Sequence, residues 1–194
     1  MCKVAAQADD VPWYDRPVRV NPHGDFAIIG TGAVAPGYVL ICTAEHVSSL
    51  TRLDKDRREE LLGFVDEVTR ALETHFGPVI FFEHSGGPRS MPGSSCIEHA
   101  HLHLWAVGDR VTLSLAPPYQ LFATLRDFLA HYDAERPYLM CSRHGSILVA
   151  PDPGTSQFFR RQVAAQLGEQ QAWDYAAAPF WQNMRITYDT LVGS

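Results

Sequence analysis

Cysteine is sparse in this chain and scattered. Cys2, Cys42, Cys96 and Cys141 stand far apart with no Cys-x-x-Cys spacing, so neither a disulfide scaffold nor a zinc finger follows. Positive charge is short as well. Lys and Arg number 16 against 22 Asp and Glu, for a net charge of −6. A general nucleic-acid surface needs a basic patch, so nucleic acid is not the expected partner. A small phosphorylated ligand needs only local donors and stays open. No apolar run approaches membrane-spanning length, and residues 1–12 lack the apolar stretch of a signal peptide. The expectation is a cytoplasmic protein with no membrane partner. Internal repeats and low-complexity tracts are absent too. With 194 residues, 46% of them apolar, the chain can bury one sizeable core, which favours one domain with additions.

What the chain does have is histidine concentrated in one place. In the stretch from Cys96 to Trp105, His99, His101 and His103 alternate with Ala100, Leu102 and Leu104. Side chains alternate faces along a strand, so the three histidines share one face. Neighbouring histidine Cα atoms then sit roughly 6.5 to 7 Å apart, twice the strand rise. A packed core has no use for three histidines on one face, because each buried polar group needs a partner. Two chemistries suit the pattern. A His-x-His pair on a strand can point two nitrogens at one zinc. Imidazole, largely neutral near neutral pH, can also attack an electrophilic phosphorus while its neighbours donate to the phosphate oxygens.

The run His99-Ala100-His101-Leu102-His103-Leu104-Trp105 resembles the histidine-triad pattern, His-φ-His-φ-His-φ-φ with φ apolar. That superfamily contains nucleotidyl hydrolases and transferases in which the middle histidine becomes transiently nucleotidylated. The resemblance implies that His101 is the nucleophile. Related phosphorylases and uridylyltransferases carry glutamine in the third place, so His103 leans toward a hydrolase. Pro36-Gly37-Tyr38-Val39-Leu40-Ile41 followed by His46 is similar to a second family segment. There Tyr38 stands where many members place a histidine near the phosphates, and Thr43 replaces a proline. His46 is read either as a site residue or as a loop residue that helps hold the fold. Glu83-His84-Ser85-Gly86 resembles a Glu-His-Gly signature of one branch, with one residue inserted, and Ser94-Ser95-Cys96 takes the place of a Gly-Gln-Ser/Thr run. Ser95 is then the weaker substitute for that glutamine.

Elsewhere the pattern predicts an alternating set of elements. Short strands are expected at 17–21 and 26–29, a turn at Gly30-Thr31-Gly32, and a buried strand over 38–42. The spacing of Leu61, Val65, Val68 and Leu72 predicts a helix from Asp54 to Phe76, ended by Gly77-Pro78. The strand 79–82 then delivers Glu83 and His84 to its end. A polar, glycine-rich loop over 85–95 follows, read either as a phosphate-contacting loop or as plain surface. Beyond Trp105 the pattern predicts a helix over about 120–131 and a hairpin of 138–141 with 146–150. A helix capped by Thr155 or Ser156 and running to Leu167 comes next, and a last helix spans 179–191. The start of the 156–167 helix carries Gln157, Arg160 and Arg161, which suit an anion or an ordinary surface. Longer bacterial histidine-triad proteins look similar at this helix and at Trp173-Asp174-Tyr175.

The expected fold is α+β, a mostly antiparallel sheet carrying the histidine strand. Residues 1–110 are expected to form the core and 111–194 an extension packed on it. The family likeness implies a five-stranded sheet and often a homodimer. The expected reaction is attack by neutral His101 on the α-phosphorus of a nucleotide ester, anhydride or phosphoramidate, with His99, His103 and Ser95 steadying the oxygens. Water then releases the nucleotide, and no cofactor is required. Glu83, His84, Tyr38, His46, Gln157, Arg160 and Arg161 are the candidate substrate-binding residues. A zinc-dependent hydrolase built on the same histidines, and a nucleotide-binding module without turnover, are the alternatives.

Overall fold

The segment 54–76 shows how directly local signals act in this chain. In the computed structural model it forms helix α1 (Lys55–Phe76), and the Asp54 carboxylate accepts from the Arg57 N–H at 2.9 Å. A side-chain acceptor at this position satisfies one of the free N–H groups of the first turn. Gly77 ends the helix at φ 98°, a left-handed region that favours glycine. Leu61, Val65, Val68 and Leu72 are all buried, as the periodicity predicts. Residues 11–86, 99–134 and 136–193 are described.

Among the described residues, eight strands form one antiparallel sheet. They are β1 (Arg19–Val20), β2 (Phe26–Ile29), β3 (Tyr38–Cys42), β4 (Ile80–His84), β5 (His101–Trp105), β6 (Gln120–Phe122), β7 (Tyr138–Arg143) and β8 (Ser146–Pro151). Their spatial order is β1-β2-β3-β5-β4-β7-β8-β6. The α+β class therefore stands, and the five-stranded expectation is corrected to eight. The reason is that the predicted hairpin adds to the free edge of β4, with Phe82 opposite Cys141 and His84 opposite Leu139. Strands from residues 111–194 thus continue the sheet begun by the first 110 residues.

A second correction concerns 120–131, expected as one helix. Gln120–Phe122 instead pairs with β8, and helix α2 begins only at Leu125, running to His131. Thr124 caps it by accepting from the Asp127 N–H at 3.0 Å, and the Asp127 carboxylate accepts from Ala123 N at 3.0 Å. This reciprocal arrangement resembles a capping box and fixes where the helix can start.

Strand alternation gives the sheet two faces. Tyr38, Leu40 and Cys42 on β3 are paired with Trp105, His103 and His101 on β5, and Trp105 and His103 with Ile80 and Phe82 on β4. Directly paired residues point the same way, so these side chains share one face. Leu102, Leu104 and Glu83 fall on the other, and all three are buried.

The C-terminal segment covers part of the histidine-bearing face. It contains α3 (Phe158–Gln166) and α4 (Trp181–Val192). Phe159 of α3 lies 5.0 Å from Phe82, ring to ring. Arg160 is buried and donates to the carbonyl oxygens of Thr31 and Gly32 at 3.2 and 2.8 Å. Asn183 donates to those of Ala33 and Val34, and the Thr187 hydroxyl accepts from Gly37 N–H. Residues 31–37 are thus the dock for α3 and α4. Gly32, at φ 76°, has no room for a Cβ beside Arg160 and Tyr175. Among the described residues, no helix is long and apolar enough to cross a membrane.

Candidate functional site: a histidine-walled cavity

A cavity opens between the histidine-bearing face and α3. Ile28, Leu40, Phe158 and Phe159 give it apolar walls, and His84, His101, His103 and Arg160 supply converging polar groups. Apolar walls with a few convergent polar groups are the ordinary build of a small-molecule site.

Strand β5 starts at His101, and His99 lies just before it. His101 and His103 therefore face the cavity together, their rings 4.7 Å apart. His99 does not line it. Its Nε2–H donates to the Thr43 carbonyl oxygen at 2.6 Å, and the exposed His46 ring meets it edge-on at 5.2 Å. The third histidine at the cavity is His84 instead. Ile80 lies opposite Trp105 and Phe82 opposite His103. Continuing that antiparallel register by two residues sets His84 opposite His101.

The tautomer of His101 is fixed by its backbone. Its Nδ1 lies 2.7 Å from the carbonyl oxygen of His99. A carbonyl can only accept, so Nδ1 carries the hydrogen and Nε2 of the neutral ring keeps its lone pair. Burial holds this imidazole down to about 4, over an opposing pull from the His99 carbonyl and with further lowering by the charges of His99 and His84. The ring is neutral at pH 7, with its lone pair on Nε2.

His103 is held differently. It stacks on Phe82 at 4.4 Å with 13° between the rings, and its Nδ1 meets the Tyr38 hydroxyl at 2.7 Å. Burial first, then the charges of His101 and Arg160, keeps this imidazole well below the usual histidine range. Burial likewise raises the Tyr38 phenol, against a lowering by Arg160, so the phenol is un-ionised. The Arg160 guanidinium lies 5.6 Å from the Tyr38 ring centroid and can only donate, so we assign the phenol hydrogen to His103 Nδ1. The His103 Nε2 then carries a hydrogen and is a donor. Space for the Tyr38 ring comes from Gly30, where a Cβ would overlap it. The Gly30-Thr31-Gly32 segment is a turn, as predicted, and it also makes room for Tyr38 and Arg160.

The remaining candidates divide by the face or end they occupy. Glu83 points away from the cavity, where its carboxylate accepts from Leu50 N–H at 2.9 Å and the Tyr138 hydroxyl at 2.6 Å. Gln157 lines the cavity, but its amide oxygen accepts from Arg160 Nε and Tyr175 N–H, and its amide nitrogen donates to Asp174. It is also the N-cap of α3, at φ 54°, in place of the Thr155 or Ser156 cap that the pattern predicts. Arg160 reaches the cavity while bound to backbone oxygens, including that of Trp173. Arg161 turns outward onto the Trp173 ring, 3.3 Å from its centroid. Ser95, Cys96 and residues 87–98 generally lie outside the described residues.

Asp152, in the Pro151-Asp152-Pro153-Gly154 segment after the hairpin, holds a cavity-lining histidine, and no sequence pattern marked it. Its Oδ2 lies 2.8 Å from His84 Nε2, and its Oδ1 accepts from Gly154 N–H at 2.8 Å. The Asp-Pro-Gly turn was legible; the partner 68 residues away was not. Among the described residues, no group of three or more His, Cys, Asp or Glu is placed to hold a metal ion. No protein-family model matches the chain.

Proposed function

We propose that this protein is a nucleotidyl hydrolase of the histidine-triad type, acting at the α-phosphorus of a nucleotide ester, anhydride or phosphoramidate. The observation that carries the reading is the contact from His101 Nδ1 to the His99 carbonyl oxygen inside the cavity. It leaves Nε2 as a lone-pair nitrogen on a ring that burial keeps neutral. A neutral, oriented imidazole is a nucleophile, and splitting one hard substitution into two displacements is what covalent catalysis gains.

The chemistry of the other cavity-lining residues supports a nucleotide as the ligand. Arg160 is a fixed cation at the polar end, and the His103 Nε2–H is a donor suited to an oxygen that gains charge in the transition state. Ile28, Leu40 and Phe158 supply apolar surface for a base, while Asp15 and Thr31 offer a carboxylate and a hydroxyl that suit sugar hydroxyls. In the first displacement His101 Nε2 bonds to phosphorus as the leaving group departs. In the second, water takes the phosphorus and His101 is released.

An alkaline quench during turnover tests this, because an N–P bond to imidazole survives base better than acid. Protein carrying a nucleotidyl group on His101 is expected, and His101→Ala is expected to lose both adduct and turnover. Full activity in a folded His101→Ala protein, or inactivation by a chelator with no adduct, overturns the proposal.

A further inference from the structure

We propose that His84, held by Asp152, is the proton donor and acceptor of this site: it protonates the departing group and then takes a proton from the attacking water. The inference rests on the nucleophile reading of His101 and adds a residue to it.

Three observations converge on this pair. His84 lines the cavity, and the β4–β5 register sets it across from His101. Its Nε2 is 2.8 Å from the Asp152 carboxylate, and both side chains are nearly out of solvent, at 10% and 5% exposure. Asp152 is itself held in place, because Gly154 N–H occupies its other oxygen and its own N–H donates to the Pro137 carbonyl. A carboxylate fixed in this way orients an imidazole, sets which nitrogen carries the hydrogen, and offsets the charge on a ring that holds a second proton. With Nε2 committed to Asp152, Nδ1 is the nitrogen left for exchange.

The chemistry needs such a group, and the other two histidines at the cavity do not supply it. His101 is consumed by the bond to phosphorus, and His103 is tied to Tyr38. In the first displacement the P–O or P–N bond to the leaving group breaks, and the His84 Nδ1 proton passes to that oxygen or nitrogen. In the second, a water oxygen bonds to phosphorus, its proton returns to His84 Nδ1, and the P–N bond returns its electron pair to His101 Nε2. The cycle is balanced and needs no other reactant.

The 4-nitrophenyl esters of adenosine and uridine 5′-monophosphate separate the two steps, because 4-nitrophenolate leaves without a proton. In His84→Gln, whose amide can still donate to Asp152 but cannot exchange a proton, the first-turnover burst should persist. Steady-state turnover should fall by roughly 10²- to 10⁴-fold, the usual yield of general acid–base catalysis. Alkaline quench should then recover more nucleotidyl-protein than in wild type. Asp152→Asn should show the same split to a smaller extent. Unchanged turnover in His84→Gln, or a burst and a steady state that fall together, overturns the assignment. If that variant does not fold, wild type still decides: deuterium oxide should slow the steady state and spare the burst, and an equal effect on both overturns it. A wild-type protein with neither burst nor adduct on either ester instead removes the His101 reading, and this inference falls with it.

Discussion

The hydroxyl of Tyr38 meets Nδ1 of His103 at 2.7 Å, and the two rings lie nearly parallel, 9° apart. One phenol thereby sets the direction in which His103 offers a hydrogen. In Tyr38→Phe the ring stack remains but the tautomer is released. A hydrogen bond of this kind contributes about 1 kcal/mol, and somewhat more against developing charge. Turnover is expected to drop about tenfold, the equivalent of 1.4 kcal/mol. Nitrogen-15 shifts of the His103 ring should show a mixed tautomer. A variant with wild-type turnover and an unchanged Nε2–H signal contradicts the assignment.

Gly30 makes the Tyr38 position available, so Gly30→Ala should push the ring out of place. Overpacking of this sort costs about 1 to 3 kcal/mol, measurable by urea unfolding. Turnover should fall as well, because Tyr38 shifts relative to His103. Adding Tyr38→Leu should recover part of the stability but none of the turnover, the coupling expected of touching residues. Additive stability effects would show that the ring is not what the new methyl meets.

The acid limb of the first displacement follows from His101. Burial holds this ring at about 4, below the usual value of about 6.5. Attack needs the unprotonated Nε2, so adduct formation should be level from pH 7 down to about 5. It should then decline as pH falls through about 4. Burst rates with a 4-nitrophenyl ester isolate this step from leaving-group protonation. A limb centred near the ordinary histidine value argues against a buried, neutral nucleophile.

Stability should carry a second pH signature, from Glu83. Burial pushes this carboxyl up to about 7, over the opposing pull of hydrogen bonds from Tyr138 and Leu50. Between about 4.5 and about 7 the folded protein keeps a proton that the unfolded chain releases. Stability therefore falls as pH rises through that window and is level above it. A shift of that size corresponds to on the order of 3 kcal/mol. Urea unfolding at pH 5 and pH 8 should show the slope in wild type and lose it in Glu83→Gln. Equal slopes in both proteins would assign the pH dependence elsewhere.

Periodicity was legible in this sequence; phase was not. Alternation correctly put His101 and His103 on one face, and helical spacing correctly buried Leu61, Val65, Val68 and Leu72. Whether Glu83 or His84 meets the cavity depends on how β4 registers with β5, a long-range fact that no local pattern carries. The same holds for His99, which sits two residues before its strand begins and turns to Thr43. The segment 120–122 misled for a different reason. Three residues are too few to show a period, and only β8 beside them makes a strand.

Arg160 and the phenylalanines before it reach across the sheet to close a cavity whose floor is laid down by residues far earlier in the chain. During synthesis every strand is made before α3 exists. A nascent chain can therefore assemble its whole sheet and still show His101 and His103 to water, without the apolar wall that α3 brings. The His101 imidazole takes on its full burial only when the closing segment reaches the turn at 31–37. Under the proposed function, His101 would meet its substrate in a closed cavity only after α3 has docked.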